Sequence, residues 1–265
     1  MMIRREDKTQ VAELFAGWQE TPIWSCLQGI MGDIYTRDGD NPRAAMAVVG
    51  DFCFLAGEPD RELTSFHPSG RKGFVMLIPQ HEGWEPLIRD IFGERAKQIT
   101  RYATRKEQEC FDREKLKRMA EALPAEYALE RLDAAMYHQC RQEAWSRDLV
   151  SQFPDAESYE RLGLGVVILH EGQLVSGASS YTRYREGIEI EIDTRTDFRR
   201  RGLAQICGAR LILDCLERGL YPSWDAHNAG SAALAQKLGY HLSHMYPAYE
   251  LEDWAGDQSS KIVRS

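Results

Sequence analysis

The sequence feature that most constrains the fold is a strand, an arginine–glycine loop and a helix in direct succession. In "GIEIEIDT" isoleucine alternates with acidic residues, which predicts a strand with Ile188, Ile190 and Ile192 on one face. The loop "RRRGLA" (199–204) follows, and apolar residues then recur at helical spacing as far as Gly219. The first N–H groups of a helix have no partner inside it, so they attract anions together with the helix dipole. The segment therefore predicts either a phosphate-binding loop or a solvated arginine-rich turn.

Two common nucleotide-binding loops do not fit this stretch. A P-loop requires Gly-Lys-Ser/Thr, and no such triplet follows the loop. A Rossmann fingerprint requires three spaced glycines early in a β-α-β unit, which this sequence lacks. Small residues at Gly202 and Ala204 would let a phosphate approach the backbone closely. Any of the three preceding arginines could neutralise its charge.

The order of predicted elements indicates two parts of the chain that meet near Pro124. After this proline the predicted order is β-α-α-β-β-β-α-β-α-β, and before it the sequence has apolar strands and amphipathic helices. We therefore expect a mixed α/β (α+β-like) fold. Its central mixed sheet, flanked by helices, would occupy residues 125–265, and a smaller α/β domain would occupy residues 1–124.

Composition and charge narrow the class of protein. No run of about 18 apolar residues exists, and the N-terminus "MMIRREDKTQ" lacks the apolar core of a signal peptide. The six cysteines are scattered without a C-x-x-C pair, which favours free thiols in a reducing cytoplasm. The net charge of −8 disfavours nucleic-acid binding. We expect a cytoplasmic protein that binds no membrane, no nucleic acid and no metal.

Two motifs in the second part resemble those of the GNAT superfamily of acetyl-CoA-dependent acyltransferases. "RRRGLA" matches the family's pyrophosphate loop, and "HNAGSAALAQKLGY" (227–240) matches its second motif, an Asn-led helix. The resemblance covers roughly residues 125–252. "SGASSY", "GIEIEIDT" and "LYPSWDAHN" look like the bacterial branch that includes zwittermicin-resistance-type acetyltransferases, in which a further N-terminal region precedes the GNAT half.

The resemblance implies acetyl-CoA as co-substrate and suggests where it binds. The backbone from Ile192 to Thr194 would pair with the pantetheine arm, and the loop would hold the pyrophosphate. Asn228 would form a hydrogen bond with the cofactor from the other side of the cleft, with Ser231 nearby on the same helix. The residues implied are Ile192, Thr194, Arg199, Arg200, Arg201, Gly202, Leu203, Ala204, Asn228 and Ser231.

Acidic residues supply the candidates for catalysis, because an amine must be neutral before it can attack a thioester. Strand alternation places Glu189, Glu191 and Asp193 on the face opposite the isoleucines. They are either exposed or paired with arginines, or one of the two glutamates, Glu191 or Glu189, acts as a base. Asp225 follows the next strand and could bind or deprotonate the amine. His227 is a further candidate base, although a histidine beside a helix cap is more often structural.

One position departs from the family pattern. Many GNAT enzymes carry a tyrosine on the second-motif helix as the acid for the leaving thiolate, and Ala235 stands at the matching position. A thiol with a pKa of about 8.5 can leave partly as thiolate, so the change weakens catalysis without excluding it. Tyr246 or Tyr249 could substitute, although a packing role is the commoner one for either residue.

We therefore expect an N-acetyltransferase that transfers an acetyl group from acetyl-CoA directly to a primary amine of a small molecule. The alternatives are a non-catalytic acyl-CoA-binding or sensor protein, which Ala235 favours, and an unrelated α/β interaction module. The first 124 residues would form a wall of the acceptor cleft, a degenerate copy of the fold, or a homodimer contact. Since the cofactor motifs all lie downstream, a chain beginning near Leu123 is expected to bind acetyl-CoA.

Overall fold

The computed structural model describes residues 1–37, 39, 41–68 and 73–254. The strands in this part are β1 (Met2–Arg4), β2 (Asp33–Arg37), β3 (Ala44–Val49), β4 (Phe52–Gly57), β5 (Val75–Pro79), β6 (Lys97–Thr104), β7 (Tyr127–Arg131), β8 (Gly165–His170), β9 (Gln173–Tyr184), β10 (Gly187–Thr194), β11 (Tyr221–Ser223), β12 (Asp225–Ala226) and β13 (Leu242–Leu251). The α-helices are α1 (Thr9–Ala12), α2 (Thr21–Leu27), α3 (Arg61–Ser65), α4 (Glu85–Phe92), α5 (Arg113–Glu121), α6 (Ala134–Cys140), α7 (Ala156–Leu162), α8 (Leu203–Glu217) and α9 (Ala229–Leu238). The expected mixed α/β class is confirmed. Within the described ranges, no helix has both the length and the apolar character that a membrane span requires.

The chain divides into two compact units that are not simple halves of the sequence. The first contains residues 1–19, residues 26–100 and the residues from Pro247 onward. The second contains Glu20–Ser25 and Arg101–Tyr246. Pro124, where the sequence suggested a boundary, therefore lies inside the second unit. The last residues of the expected C-terminal domain, 255–265, lie outside the described part of the chain.

The first unit is built on strands that pair in the order of the sequence. β1 to β4 are antiparallel to their neighbours, β5 is parallel to β4, and the end of β13 pairs antiparallel with β5. The long apolar strands β3, β4 and β5 are buried, as their sequences predict. Helix α4 buries Ile88 and Phe92 in the same core as Leu55, Leu77 and Tyr249.

The second unit contains a five-stranded sheet in the order β11-β10-β9-β8-β7. Neighbouring strands are antiparallel except β10 and β11, which are parallel. A separate short ladder joins β12 to the end of β6, with Asp225 opposite Ala103. Ile188 and Ile190 are buried in the core and Ile192 packs against it, which confirms the alternation expected of β10.

Helix α8 is the central helix of the second unit. Nine of its residues are buried, on more than one face, because the helix packs both on the sheet and against α5. α5 and the segment before it contribute Leu116 and Phe111 to the shared core. The ring of Phe111 lies 5.0 Å from that of Tyr240 and 6.0 Å from that of Tyr221.

We predict that a chain beginning at Leu123 does not fold, because it lacks Phe111 and Leu116 and therefore part of this core. In the full chain, Leu116→Ala is expected to lower the free energy of unfolding by about 2–5 kcal/mol, since Leu116 is fully buried. Lys117→Ala, one position along the same helix and exposed, is the control and should cost well under about 1 kcal/mol. Urea unfolding measures all three. A cooperative transition of the truncated chain would show that the core closes without α5.

Candidate functional site

The loop before α8 presents the start of that helix without a side-chain cap. Gly202, the residue before the helix, has φ of 82°, a left-handed conformation that suits glycine, and no side chain caps the helix. Arg200 also has a positive φ, 62°, which is uncommon for an arginine. The backbone therefore turns sharply, and the N–H groups of Leu203 and Ala204 belong to the first turn of a helix, where they have no intrahelical acceptor.

The three arginines of the loop have different surroundings. Arg199 donates from Nε to the carbonyl oxygen of Thr194 at 3.2 Å. The Arg201 guanidinium lies over the ring of Phe198, 4.5 Å from its centroid. Arg200 is exposed. Two of the arginines thus hold the loop in shape, while all three keep positive charge beside the helix start.

A cavity of about 410 Å³ opens next to this loop, between α5 and the start of α8. Lys115 and Arg118 from α5 line it together with Arg201 and Gly202. Lys115 and Arg118 are three residues apart on a helix and therefore lie on the same face. Three cations and a helix N-terminus around one cavity match a phosphate-bearing ligand. Sequence reasoning missed the α5 residues, and their helical spacing was the only signal for them.

The edge of β10 beside β11 is paired over only part of its length. β11 pairs with Gly187–Glu189, whereas β9 pairs with β10 as far as Thr194. Tyr221 N donates to the Glu186 carbonyl, so the peptide groups of even-numbered residues face the β11 side. Ile190, Ile192 and Thr194 are in this set. Among the described residues, this stretch has a neighbouring strand on one side only.

None of the three acids of β10 is exposed, which was one of the alternatives that the sequence left open. Glu189 is buried, and Glu191 and Asp193 are half-buried. Burial, then the nearby Asp193 and Asp148, raise the pKa of Glu191 to about 8, although Arg101 opposes the shift. Burial and Asp148 raise the pKa of Asp193 to about 6. These carboxyl groups therefore hold protons more tightly than ordinary surface acids.

Asp225 is engaged through both of its carboxylate oxygens. Arg101 Nε donates to Oδ1 at 2.6 Å, and the Tyr246 hydroxyl donates to Oδ2 at 2.7 Å. The Arg101 and Asp225 side chains are only 5% and 11% exposed, and Arg101 Nη1 lies 3.3 Å from His227 Nδ1. These hydrogen bonds occupy both oxygens of the carboxylate. Asp225 therefore orients Arg101 and Tyr246, and burial raises the pKa of Tyr246 well above its ordinary value.

A buried pair of residues from the N-terminal region belongs to the same unit. Thr21 Oγ1 donates to Glu189 Oε2 at 2.5 Å, so this side chain is bonded to the sheet. Glu20 is 5% exposed, and its Oε1 lies 4.0 Å from His244 Nε2. Burial, then Asp225, raise the pKa of Glu20 to about 7. Nothing in the local sequence identifies Glu20, because its neighbours come from distant parts of the chain.

The second motif forms α9 as expected. Asn228 caps the helix, its Oδ1 accepting the Ser231 N–H at 3.0 Å. Ser231 Oγ accepts a hydrogen bond from Trp224 Nε1 at 3.2 Å. These bonds use the Asn228 carbonyl and leave its amide nitrogen as the donor for a ligand. Ala235 is fully buried, so no polar group is present at the usual tyrosine position.

This arrangement allows a group to pass directly from donor to acceptor, without a covalent intermediate on a cysteine. Carboxyl groups can move the protons. Cys207 lies on α8 behind the loop, where burial raises the pKa of its thiol to about 12. A thiol with so high a pKa is protonated at neutral pH and is a poor nucleophile. In contrast, the pKa values of Glu20, Glu191 and Asp193 are raised to about 7, 8 and 6, which is the range that a general base requires.

Comparisons with known proteins agree with the fold and the motifs. A family model described as GNAT acetyltransferase matches residues 12–249. The uncharacterized N-acetyltransferase YdfB of Bacillus subtilis (strain 168) is 27% identical over 248 residues, 86% of this chain and 89% of that protein. The crystal structure of a GCN5-related N-acetyltransferase-like protein from Streptococcus suis 89/1591 is 49% identical with a TM-score of 0.88, covering 92% of this chain and 98% of the other. A tandem GNAT protein from the clavulanic acid biosynthesis pathway shares the fold alone, at 12% identity and a TM-score of 0.55, over 95% of this chain and 98% of the other.

We predict that Asp225→Asn lowers the free energy of unfolding by about 3–5 kcal/mol, because it leaves the Arg101 charge buried without its partner. The double variant Arg101→Met with Asp225→Asn should recover most of that loss. Glu114→Gln, which removes an exposed ion pair with Lys117 at 2.8 Å, is the control and should cost under about 1 kcal/mol. Equal losses for Asp225→Asn and Glu114→Gln in urea unfolding would contradict a buried ion pair.

Proposed function

Since the chain belongs to the GNAT acetyltransferase family, we propose that it transfers an acetyl group from acetyl-CoA to the primary amine of a small molecule. The observation that carries this proposal is the cavity at the start of α8. Its walls carry Lys115, Arg118 and Arg201 beside the uncapped helix start at Gly202. Coenzyme A carries several phosphate groups, so a cavity lined by cations and helix N–H groups matches its charge.

The residues expected from the sequence fit the cofactor at three places. The open edge of β10 offers the peptide groups of Ile192 and Thr194 to the amides of the pantetheine arm. The first-turn N–H groups of Leu203 and Ala204, with Gly202 and the loop arginines Arg199, Arg200 and Arg201, would hold the pyrophosphate. Asn228 and Ser231, at the start of α9, would contribute from the other side. Acetyl-CoA supplies the thioester whose acyl group is transferred.

Two acids have proposed roles in the reaction. Glu191 lies on β10 directly beside Ile192, half-buried and with a raised pKa, so it can exchange a proton near the cofactor arm at neutral pH. Asp225 acts as a positioning residue, because its two oxygens hold Arg101 and Tyr246. Without the family tyrosine at Ala235, the leaving thiolate depends on its own low basicity or on one of these groups.

The N-terminal region has a proposed role on the acceptor side. The fold shared with a tandem GNAT protein over 95% of this chain supports the proposal that the first unit is a degenerate copy of the GNAT fold. In this proposal the copy contributes to amine selection or to a homodimer. A cytoplasmic location suits free thiols, and five of the six cysteines are buried.

We predict that Gly202→Asp weakens acetyl-CoA binding by about tenfold or more, because it adds a negative charge where a phosphate would lie. Gly219→Asp is the matched control: Gly219 also has a positive φ, 69°, and open space at its Cβ, but it follows the other end of α8. Both variants carry the same strain, so their difference reports the charge at the loop. Arg199→Ala should weaken binding less, because its neighbours keep the loop positive.

Isothermal titration with acetyl-CoA measures the affinities, and release of the CoA thiol with a panel of amines measures transfer. The proposal expects thiol release that depends on a primary amine. Binding without release on any primary amine would support a sensor, and equal affinities of the two glycine variants would remove the phosphate role of the loop.

A further inference from the structure

Four buried side-chain oxygens in the second unit have no hydrogen-bond partner within the described residues. They are Glu20 Oε2, Thr182 Oγ1, Glu189 Oε1 and Ser223 Oγ. Buried polar groups are satisfied in more than about nine cases in ten, so four such atoms in one unit require an explanation. The Ser223 hydroxyl does lie close enough to lower the pKa of Glu189, although it misses hydrogen-bond geometry.

These atoms come together around Glu189. Thr182 on β9 and Ser223 on β11 are the direct cross-strand partners of Glu189, and directly opposed residues project from the same face of a sheet. Thr21 donates to the other oxygen of Glu189. Glu20, the residue before Thr21, is close enough to Glu189 for that carboxyl group to raise its pKa. Each of the four residues is at most 5% exposed. The result is a buried set of oxygens that can accept hydrogen bonds.

The charges around this set do not balance. Asp225 adds negative charge nearby, since it raises the pKa of both Glu20 and Glu189 although it is itself paired with Arg101. Lys106 is the cation that lowers the pKa of both Glu20 and Glu189, and it faces two carboxyl groups. One further positive charge would balance the set, and a buried carboxylate that lacks one becomes protonated instead.

The remaining titratable groups that face Glu20 come from β13. His244 Nε2 lies 4.0 Å from Glu20 Oε1, and its side chain is 54% exposed. Tyr246 donates to Asp225, and its pKa responds to the charge of Glu20. His244 therefore lies between a buried carboxyl group and the solvent, and an imidazole ring can both accept and donate a proton.

We propose that Glu20 and Glu189 bind the ammonium group of the acceptor and that Glu20 removes its proton before acetyl transfer. This inference rests on the proposed function, because it names the acceptor-binding group and the base of that reaction. An ammonium group with three N–H donors matches the carboxylate oxygens and the hydroxyls of Thr182 and Ser223. The acceptor class is therefore a primary amine, because a protonated tertiary amine has only one N–H donor and a quaternary ammonium group has none.

The proton balance of the step is simple. One N–H bond of R–NH₃⁺ breaks, the proton bonds to Glu20 Oε2, and the electron pair stays on the nitrogen. The amine then forms the C–N bond as the C–S bond of the thioester breaks, and the second amine proton leaves with the CoA thiol. Glu20 returns its proton to solvent through His244. Burial favours the neutral amine and neutral acid over the ion pair, which offsets the ordinary amine pKa of about 10.4.

The first test compares wild type, Glu20→Gln and the control Glu160→Gln, an exposed glutamate on α7. The acceptor is the primary amine that gives the fastest thiol release in the panel. A base must be ionised to work, so kcat/KM of wild type should rise with pH through the Glu20 pKa of about 7. In Glu20→Gln this rise with pH should be absent, and kcat/KM should be at least about 100-fold lower than in wild type. The affinity for acetyl-CoA should be unchanged. Glu160→Gln should match wild type.

The second test does not depend on turnover or on a variant. In protein labelled with ¹³C at glutamate carboxyl groups, a primary alkylamine should lower the apparent pKa of a carboxyl that titrates near 7, while trimethylamine should not.

We also expect the Glu20→Gln variant to fold. The pKa of Glu20 is raised from 4.5 to about 7 in the folded state, so its ionisation destabilises the fold increasingly between about pH 4.5 and pH 7 and by a constant amount above pH 7. Its removal therefore does no harm at pH 8.

The outcomes distinguish the role of Glu20 from the proposed acetyl transfer itself. An unchanged pH limb and rate in Glu20→Gln, or no carboxyl shift with the primary amine, would overturn the role of Glu20 while leaving acetyl transfer intact. Absence of acetyl-CoA binding and of thiol release in wild type would overturn the proposed function itself. A fall in acetyl-CoA affinity in Glu20→Gln would contradict an acceptor-side role.

Discussion

The ion pair between Arg101 and Asp225 determines which acids of the second unit keep a partner. Arg101 Nε donates to Asp225 Oδ1 at 2.6 Å, and the Tyr246 hydroxyl donates to the other oxygen of Asp225. Because Arg101 is committed in this way, Glu20 and Glu189 share Lys106 as their counter-charge. Burial without a full partner raises the pKa of both carboxyl groups, that of Glu20 to about 7, a range in which a carboxyl group can exchange protons at neutral pH.

Strand β10 joins this acidic region to the expected cofactor site. Its even-numbered residues direct their peptide groups to an edge that β11 covers only as far as Glu189. Its odd-numbered residues are the acids Glu189, Glu191 and Asp193 on the opposite face from the buried isoleucines. In the proposed function one strand would bind a cofactor arm through its peptide groups and move protons through its carboxyl groups, because successive residues of a strand alternate in direction.

The sequence predicted what depends on local order and missed what depends on distant contacts. The loop at Gly202 and the Asn228 cap were visible because their signals lie within a few residues. Arg101 is 124 positions from Asp225, and Thr21 is 168 positions from Glu189, so no local pattern could show either bond. The boundary near Pro124 marked a change in element order, whereas the compact unit also needs α5 and residues 20–25.

In the proposed function, acetyl-CoA lies along the open edge of β10 and against the start of α8. Amide hydrogen exchange of the full chain, with and without acetyl-CoA, tests it directly, because an amide that gains a hydrogen bond exchanges more slowly. We predict added protection at Ile190, Ile192, Leu203 and Ala204, and none in β8, which has a paired strand on both sides. Identical exchange of residues 190–204 in the presence and absence of saturating acetyl-CoA would contradict it.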